Sequence, residues 1–254
     1  MLLAIDIGNT NTVLGVFEGD RLVRSWRVKT DARNTADELM LTYTGLLQDV
    51  PVTAISGCST VPAALRELRA MLSRYWPGVP TVLVEPGIKT GVALLFDNPK
   101  EVGADRIVNT LAAFSLVNGP AIVVDFGTST NFDVVSGKGE FLGGALAPGI
   151  EISLDALAAR AAQLRKVELI APRSPIGKNT VEALQSGILY GFAGQVDGLV
   201  RRIAATLVPE APGSVEVIAT GGLASLVVEH AETVNRHEPD LTLLGLRLIF
   251  ERNQ

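Results

Sequence analysis

Two short polar turns carry the residues of this sequence that are best suited to chemistry. The first, DIGNTNT, begins at Asp6, and the second, DFGTSTN, begins at Asp125; each aspartate ends an apolar run. In each turn the carboxylate can hold a cation or a water, and the glycine allows close backbone approach. Thr, Asn and backbone N–H groups can donate to phosphate oxygens. The pair therefore predicts two phosphate-binding turns without a P-loop.

The alternative for either turn is an ordinary β-turn in which Asn and Thr satisfy the local backbone, a common use of these residues. A single copy would favour that alternative, whereas two copies after comparable strands favour phosphate binding. Two other glycine-containing segments, GKN at 177–179 and GKGEFLGG at 137–144, do not predict phosphate sites. The first lacks the remaining Walker residues, and the glycines of the second lie between strands.

The segment VGADRIVN at 102–109 carries a third chemically suited residue. Gly103 and Ala104 open a predicted helix, which places Asp105 in its first turn, where the helix dipole favours a carboxylate. The alternative is that Asp105 is only a helix-start acid paired with Arg106. The sequence has just two histidines, both in a polar C-terminal stretch, so a catalytic base is predicted to be a carboxylate.

Composition excludes several classes of function. The 254 residues are 47% hydrophobic and 19% charged, as in folded soluble proteins, and no apolar run approaches the roughly 18 to 20 residues of a membrane span. A formal charge of −5 argues against nucleic-acid binding. The N-terminus shows no secretory signal, so we expect a cytoplasmic protein. The single cysteine, Cys58, excludes an internal disulfide and is predicted to be a buried, inert thiol.

The elements that must position these residues follow a βββαβαβ order in the first half. Apolar runs predict strands at 2–6, 13–17 and 21–28, joined as a meander. The capping box TADE at 35–38 predicts a helix over 36–48. A strand in VTAISGCS, a helix over 61–76, a strand in VPTVLVE and, after a loop at 86–100, a helix over 101–118 follow. This order predicts an α/β domain with a mixed sheet.

The second half restarts the same order at Ala121. The strands AIVVD, NFDVVS and FLGGAL repeat the meander, and helices are predicted near 150–162 and over 180–207. The strand VEVIAT, the pair Gly221 and Gly222, a further helix and a final helix over 242–251 complete the chain. We therefore predict one duplication with a period of about 120 residues, giving domains at 1–118 and 119–254.

The paired turns on two ββαβ-type halves resemble the acetate and sugar kinase, Hsp70 and actin superfamily. That resemblance implies an α/β fold of two duplicated ribonuclease H-like (actin-like ATPase) domains, with mixed β-sheets flanked by helices and ATP in the cleft between them. Within the superfamily the sequence is similar to type III pantothenate kinases from Met1 to about Asn253. The motifs that carry this similarity are, in order, DIGNTNT, NPKEVGADRIVN, VVDFGTST, GGALAPGI, GKNT, QSGILYG, ATGGLA and LTLLGL.

The resemblance implies transfer of the γ-phosphate of ATP to pantothenate, the first step of coenzyme A synthesis. Asp105 matches the general base, and Gly103, Ala104 and Arg106 match residues that, with Asp105, hold pantothenate. The residues implied to bind ATP are Asp6, Ile7, Gly8, Asn9, Thr10, Asn11, Thr12, Val13, Gly127, Thr128, Gly221 and Gly222. A plain strand-to-helix turn would give the last two glycines the same pattern.

The resemblance also implies cations and a partner subunit. Asp125 matches the ligand of a monovalent cation, K⁺ or NH₄⁺, and Asp6 is placed to organise Mg²⁺. Thr180 matches a threonine that reaches pantothenate in the partner subunit's site, which implies a homodimer with a shared active site. The alternative for Thr180 is a helix N-cap.

Two departures from the family pattern are visible. Asn131 replaces a threonine at the edge of the second turn, and Phe96 stands where some members have a tyrosine near pantothenate. Two other functions stay open at this point: a nucleotide-binding regulator with weak or no kinase activity, and a kinase for another small alcohol.

Overall fold

A computed structural model describes residues 1–160 and 167–254. The chain forms two compact units, each with its own sheet. The first contains Met1–Val92, Asn98–Ala112 and Leu241–Gln254; the second contains Ala93–Asp97 and Ala113–Asp240. The predicted α/β class with two mixed, helix-flanked sheets is confirmed.

The elements are as follows, in chain order. The first part contains β1 (Leu2–Ile7), β2 (Asn11–Glu18), β3 (Arg21–Lys29), α1 (Ala36–Leu47), β4 (Ala54–Ser59), α2 (Pro62–Tyr75), β5 (Thr81–Leu83) and α3 (Ala104–Val117). The remainder contains β6 (Ala121–Phe126), β7 (Ser129–Val135), β8 (Phe141–Pro148), α4 (Ile150–Arg160), α5 (Thr180–Leu207), β9 (Glu216–Thr220), α6 (Ala224–Val228), β10 (Arg236–His237) and α7 (Leu241–Arg252).

The first unit is built on a five-stranded sheet in the order β3-β2-β1-β4-β5. The meander β1–β2–β3 is antiparallel, and β4 and β5 join it in parallel, as expected for strands that follow crossover helices. The predicted capping box opens α1, with both of its reciprocal hydrogen bonds between Thr35 and Glu38 present.

Both faces of the first sheet are covered. Leu3, Ile5 and Leu14 belong to a core shared with α1 and α2, whereas Ala4 and Phe17, on the other face, pack with residues of α3 and α7. Helix α7 lies so close to the sheet that a Cβ at Gly15 would come within 2.6 Å of a Leu243 methyl group. The Ser56 hydroxyl also donates to the Leu246 carbonyl at 2.7 Å.

The second unit repeats this plan with the order β10-β9-β6-β7-β8. The meander β6–β7–β8 is again antiparallel, and β9 and β10 join in parallel. Ile122, Val124 and Phe132 form its core with Val196 and Val200 of α5. Equal strand order in both sheets is what a duplicated domain predicts.

Several boundaries differ from those predicted. The two-residue strand β10 has no predicted counterpart, and α3 begins at Ala104 because residues 99–101 form a 3₁₀ turn instead. Helix α4 is described to Arg160, so the predicted residues 161 and 162 lie outside the described part of the chain. Residues 241–254 were predicted in the second domain but group with the first unit, because the apolar stripe of α7 covers the first sheet. In the described residues, no helix is long and apolar enough to cross a membrane.

Candidate active site

The first polar turn joins β1 to β2. Ile7 pairs with Thr12 as the last residues of the ladder, and the Gly8 N–H donates to the Asn11 carbonyl at 3.0 Å. The backbone that closes the turn leaves Asn9 and Thr10 exposed at its tip. Exposed polar residues at the tip of such a turn are placed where an anion can approach.

Three residues predicted to bind ATP in this turn use their side chains for the fold. Ile7 is fully buried in the core with α1 and α2, and Val13 packs on the opposite face. The Thr12 hydroxyl shares a hydrogen bond of 2.9 Å with that of Thr30. Only the backbone of these positions can meet a ligand without rearrangement.

Asp6 lies between two residues without charge. In the sheet it is opposite Val13 on β2 and beside Cys58 on β4, whose thiol donates to Asp6 Oδ1 at 3.4 Å. Burial and, secondarily, the negative charge of Asp105 raise the pKa of Asp6 to about 7, while Cys58 and the positive charge of Arg27 lower it. The thiol stays protonated, because burial raises the pKa of Cys58 far above its usual value.

Asp105 is held at the beginning of α3. Its Oδ1 accepts the Arg106 N–H at 2.9 Å, and the carboxylate lies so close to Gly103 that a Cβ there would be 2.5 Å from Oδ1. A glycine is therefore required before Ala104, the first residue of the helix. Burial raises the pKa of Asp105, and the Arg106 N–H and guanidinium oppose that shift.

The first unit thus brings Asp6 and Asp105, two carboxylates with raised pKa values, within electrostatic range of each other. Such a pair can accept a proton or hold a cation that neutralises it. In the described part of the chain, no three His, Cys, Asp or Glu side chains gather as a metal site of their own. Kinase Mg²⁺ is usually held by one or two carboxylates together with substrate phosphates, so these residues fit Mg²⁺.

The second polar turn joins β6 to β7. Phe126 pairs with Thr130, and the Gly127 N–H donates to the Ser129 carbonyl at 3.0 Å. Thr128 is exposed at the tip, and its carbonyl accepts the N–H of Gly149 at 3.2 Å. Gly127 and Thr128 therefore occupy the position that Gly8, Asn9 and Thr10 occupy in the first unit.

Asp125 has polar neighbours. In the sheet it lies opposite Asn131 on β7 and beside Thr220 on β9, and the Ser129 hydroxyl donates to Asn131 Oδ1 at 3.0 Å. Gly221, at φ +93°, approaches so closely that a Cβ there would be 2.5 Å from Asp125 Oδ1. Carboxylate, amide and hydroxyl oxygens together suit a hard cation, so this donor set fits K⁺.

The remaining predicted site residues lie in the second unit. Gly222 is exposed next to Gly221, in the connection between β9 and α6. Thr180 is exposed as the first residue of α5. The alternative role of Thr180 as the N-cap is wrong: Asn179 caps the helix, its side chain accepting the Glu182 N–H at 2.9 Å. The Thr180 side chain is thus not occupied by capping.

Phe96 also belongs to the second unit, and its ring packs on Phe141 with centroids 5.9 Å apart. It lies against the edge of β8 near Gly143. The Phe96 ring therefore has a packing role that does not require the hydroxyl of a tyrosine.

Sequence reasoning missed the partners of both aspartates. Cys58 and Thr220 occupy equivalent positions beside Asp6 and Asp125, each on the parallel neighbouring strand. Parallel register depends on the whole crossover connection and leaves no local signal in the sequence. The sequence does show that Cys58 and Thr220 each lie near the end of a predicted strand.

The fold, two similar α/β units whose sheets have equal strand order, is shared with solved structures. The structure of this chain aligns with a polyphosphate/ATP-glucomannokinase from Arthrobacter over 100% of this chain and 99% of that one, with 14% identity and a TM-score of 0.54. It also aligns with a conserved putative Baf family transcriptional activator from Campylobacter jejuni over 99% and 98% of the two chains, with 17% identity and a TM-score of 0.62. At these identities the alignments establish the fold alone.

Sequence comparison identifies the family. The type III pantothenate kinase family model matches residues 2–202. Proteins named type III pantothenate kinase are 69% identical in Frankia casuarinae and 70% identical in Frankia alni, over the whole of both chains. The counterpart from Salinispora arenicola is 65% identical, also over the whole of both chains. The chain belongs to the type III pantothenate kinase family.

Proposed function

We propose that the protein transfers the γ-phosphoryl group of ATP to the primary hydroxyl of pantothenate, giving 4'-phosphopantothenate for coenzyme A synthesis. The observation that carries this proposal is the pair Asp6 and Asp105 within a chain of this family: a carboxylate at a phosphate turn beside a carboxylate at a helix start. Family membership favours this activity over a regulator without kinase activity and over a kinase for a different alcohol.

Asp105 is the proposed base. Its carboxylate is fixed by the Arg106 N–H, and burial raises its pKa, so it accepts the pantothenate hydroxyl proton more readily than an exposed aspartate would. Phosphoryl transfer depends mainly on positioning and charge neutralisation, so the base supplies a limited part of the rate, about 10²- to 10⁴-fold. Gly103, Ala104 and Arg106 are the proposed contacts of pantothenate.

The nucleotide contacts are proposed for the turn residues. Asn9, Thr10 and Thr128 are exposed at the tips of the turns, Gly8 and Gly127 allow close backbone approach, and backbone N–H groups at the tips are the proposed donors to the phosphates. Asp6 would hold Mg²⁺, which neutralises phosphate charge during the transfer. Asp125, with Asn131 and Thr220 beside it, would hold K⁺ or NH₄⁺.

A homodimer and a cytoplasmic location complete the proposal. Thr180 is exposed and free of capping, so it is available to reach pantothenate bound by a partner subunit. Mixing Asp105→Asn and Thr180→Ala subunits is expected to restore part of the activity, because one site in the mixed dimer keeps both residues. A mixture as inactive as the separate variants would contradict a shared site.

The test of the activity measures ADP release from ATP, Mg²⁺ and K⁺ with a panel of alcohols that includes pantothenate. We expect ADP release that depends on pantothenate. ATP binding without pantothenate-dependent release would support the regulator, and release with a different alcohol would identify another substrate.

The base is tested by Asp105→Asn, which should lower kcat by about 10²- to 10⁴-fold and leave ATP binding nearly unchanged. The matched control is Glu101→Gln, which neutralises an exposed carboxylate in the preceding 3₁₀ turn and should keep full activity. A loss of folding in Asp105→Asn, seen by circular dichroism, would instead support the role of a helix-start acid.

A further inference from the structure

One arginine of the first sheet shares a face with Asp6. Asp6 on β1 lies opposite Val13 on β2, and Val13 lies opposite Arg27 on β3. Directly opposed residues of antiparallel strands point to the same face, so the Asp6 and Arg27 side chains leave the sheet on the same side. Two strand spacings separate their Cα atoms by about 10 Å, a gap that a guanidinium and a small anion can fill.

The charge of Arg27 is not used elsewhere. In the part of the chain that the structure describes, Arg27 is exposed and forms no ion pair or side-chain hydrogen bond. Arg24, on the opposite face of the same strand, instead stacks on the Trp26 ring at 5.6 Å. The positive charge of Arg27 lowers the pKa of Asp6, although its effect is smaller than those of burial, Asp105 and Cys58.

The end of β3 is fixed to the first polar turn. The Thr30 N–H donates to the Thr10 carbonyl at 2.9 Å, and the Thr30 hydroxyl is bonded to Thr12. Lys29 lies opposite Asn11 on the same face as Arg27 and is also exposed. Two cationic side chains on the edge strand therefore adjoin the turn proposed to bind phosphates.

This arrangement matches the needs of a triphosphate. The terminal phosphate carries the most charge, and that charge must be neutralised as the phosphoryl group is transferred. A guanidinium can bind two phosphate oxygens at once, with a geometry that an ammonium cannot reproduce. Arg27 leaves the sheet on the same face as Asp6, and Asp6 lies within electrostatic range of the proposed base, Asp105. Its guanidinium is therefore suited to the phosphate that is transferred, not to the two that remain on ADP.

We propose that Arg27 is a further nucleotide-binding residue, whose guanidinium contacts the terminal phosphate of ATP held at the first turn. This inference rests on the proposed kinase function. It predicts discrimination between ATP and ADP at a residue outside the DIGNTNT segment.

The test compares Arg27→Ala and Arg27→Lys with the control Arg24→Ala, whose arginine lies on the other face of β3. Affinities for ADP and for a non-hydrolysable ATP analogue are measured by calorimetry, and kcat and KM by ADP release. Arg27→Ala should weaken binding of the analogue about tenfold, leave ADP binding within about twofold, and lower kcat. Arg27→Lys should recover part of the lost affinity, and Arg24→Ala should resemble the wild type.

Three outcomes would overturn the inference: unchanged binding of the analogue, equal weakening of ADP and analogue, or a rise confined to the KM for pantothenate. The last would assign Arg27 to the pantothenate carboxylate instead. The thermal unfolding temperature of each variant is also measured, because an unchanged temperature shows that weaker binding comes from a lost contact and not from a lost fold. If the wild type binds ATP but does not phosphorylate pantothenate, the kinase proposal fails while the two binding affinities still decide the role of Arg27.

Discussion

The two polar turns occupy equivalent places in two sheets of the same strand order, yet their aspartates have different neighbours. Asp6 lies between Val13 and Cys58, whereas Asp125 lies between Asn131 and Thr220. The second turn is also one residue shorter, since Asp125 and Asn131 are six positions apart and Asp6 and Val13 are seven.

The backbone of a duplicated domain can therefore be kept while the chemistry of its site diverges. Burial and, secondarily, the nearby Asp105 carboxylate raise the pKa of Asp6 to about 7, so this carboxyl group is suited to holding a proton or a multivalent cation. Neighbours with oxygen atoms surround Asp125 with further ligands for a cation. The first turn, with Asp105, is therefore the expected centre of chemistry, and the second the expected cation site.

The largest effect is expected from Asp6→Asn. If the first turn is the centre of chemistry, kcat should fall by about 10²-fold or more, because the carboxylate proposed to hold Mg²⁺ is lost. ADP release at saturating ATP, Mg²⁺ and K⁺ measures the effect. A kcat within about threefold of the wild type would remove the proposed distinction between the turns.

The same substitution should stabilise the ligand-free protein above neutral pH. The pKa of Asp6 is about 7 in the folded chain, whereas the ordinary value of 3.8 applies to the unfolded chain. As pH rises, Asp6 therefore loses its proton in the unfolded chain before it does so in the folded one. The free energy of unfolding should therefore fall between about pH 4 and 7, by at most about 4 kcal/mol. Urea titrations without Mg²⁺ measure this free energy at each pH. Asp6→Asn should abolish its decrease between about pH 4 and 7, whereas the control Asp49→Asn, which replaces an exposed carboxylate, should show the same decrease as the wild type.

An intermediate effect is expected from Asp125→Asn. Loss of the carboxylate should weaken K⁺ binding, so that the K⁺ concentration for half-maximal activity rises about tenfold or more, while kcat at saturating K⁺ falls less than in Asp6→Asn. Activity measured against K⁺, with Na⁺ maintaining ionic strength, gives the comparison. Equal K⁺ dependence in variant and wild type would show that the second turn holds no cation.

The smallest effect is expected from Asn131→Val, which gives the second aspartate the neighbour that Asp6 has. Removing one amide oxygen should raise the half-maximal K⁺ concentration a few-fold and leave the KM for pantothenate unchanged. Asn131→Thr, which keeps a hydroxyl oxygen at this position, should lie between the variant and the wild type. If Asn131→Val behaves as the wild type, the polar neighbour of Asp125 does not serve the cation.

Much of the fold was predictable because its signals are local. The meander strands, the Thr35–Glu38 capping box and the long helix α5 were predicted within a few residues, since alternation, caps and apolar periodicity lie within short windows. The positions of both polar turns were predictable for the same reason. The duplication then gave the equal order of the two sheets.

The remainder depends on contacts between distant segments. The register that brings Cys58 to Asp6 spans 52 positions, and the placement of α7 on the first sheet spans almost the whole chain. Asn179 is the cap of α5, and Thr180, for which capping was the alternative role, is not, because either neighbouring residue can cap and only the backbone geometry decides. The roles proposed for Arg27 and Thr220 depend on the strand register, which their residue types alone do not reveal.

The placement of α7 has a consequence for how the protein is made. The ribosome produces the first sheet early, but the helix that covers one of its faces is synthesised only after all of the second unit. Until then Ala4, Phe17 and Cys58 lack Leu243, Leu246 and Ile249 as packing partners. The nascent first unit should therefore be a substrate for chaperones that bind apolar surface, and its final folding step should come after synthesis of the second unit.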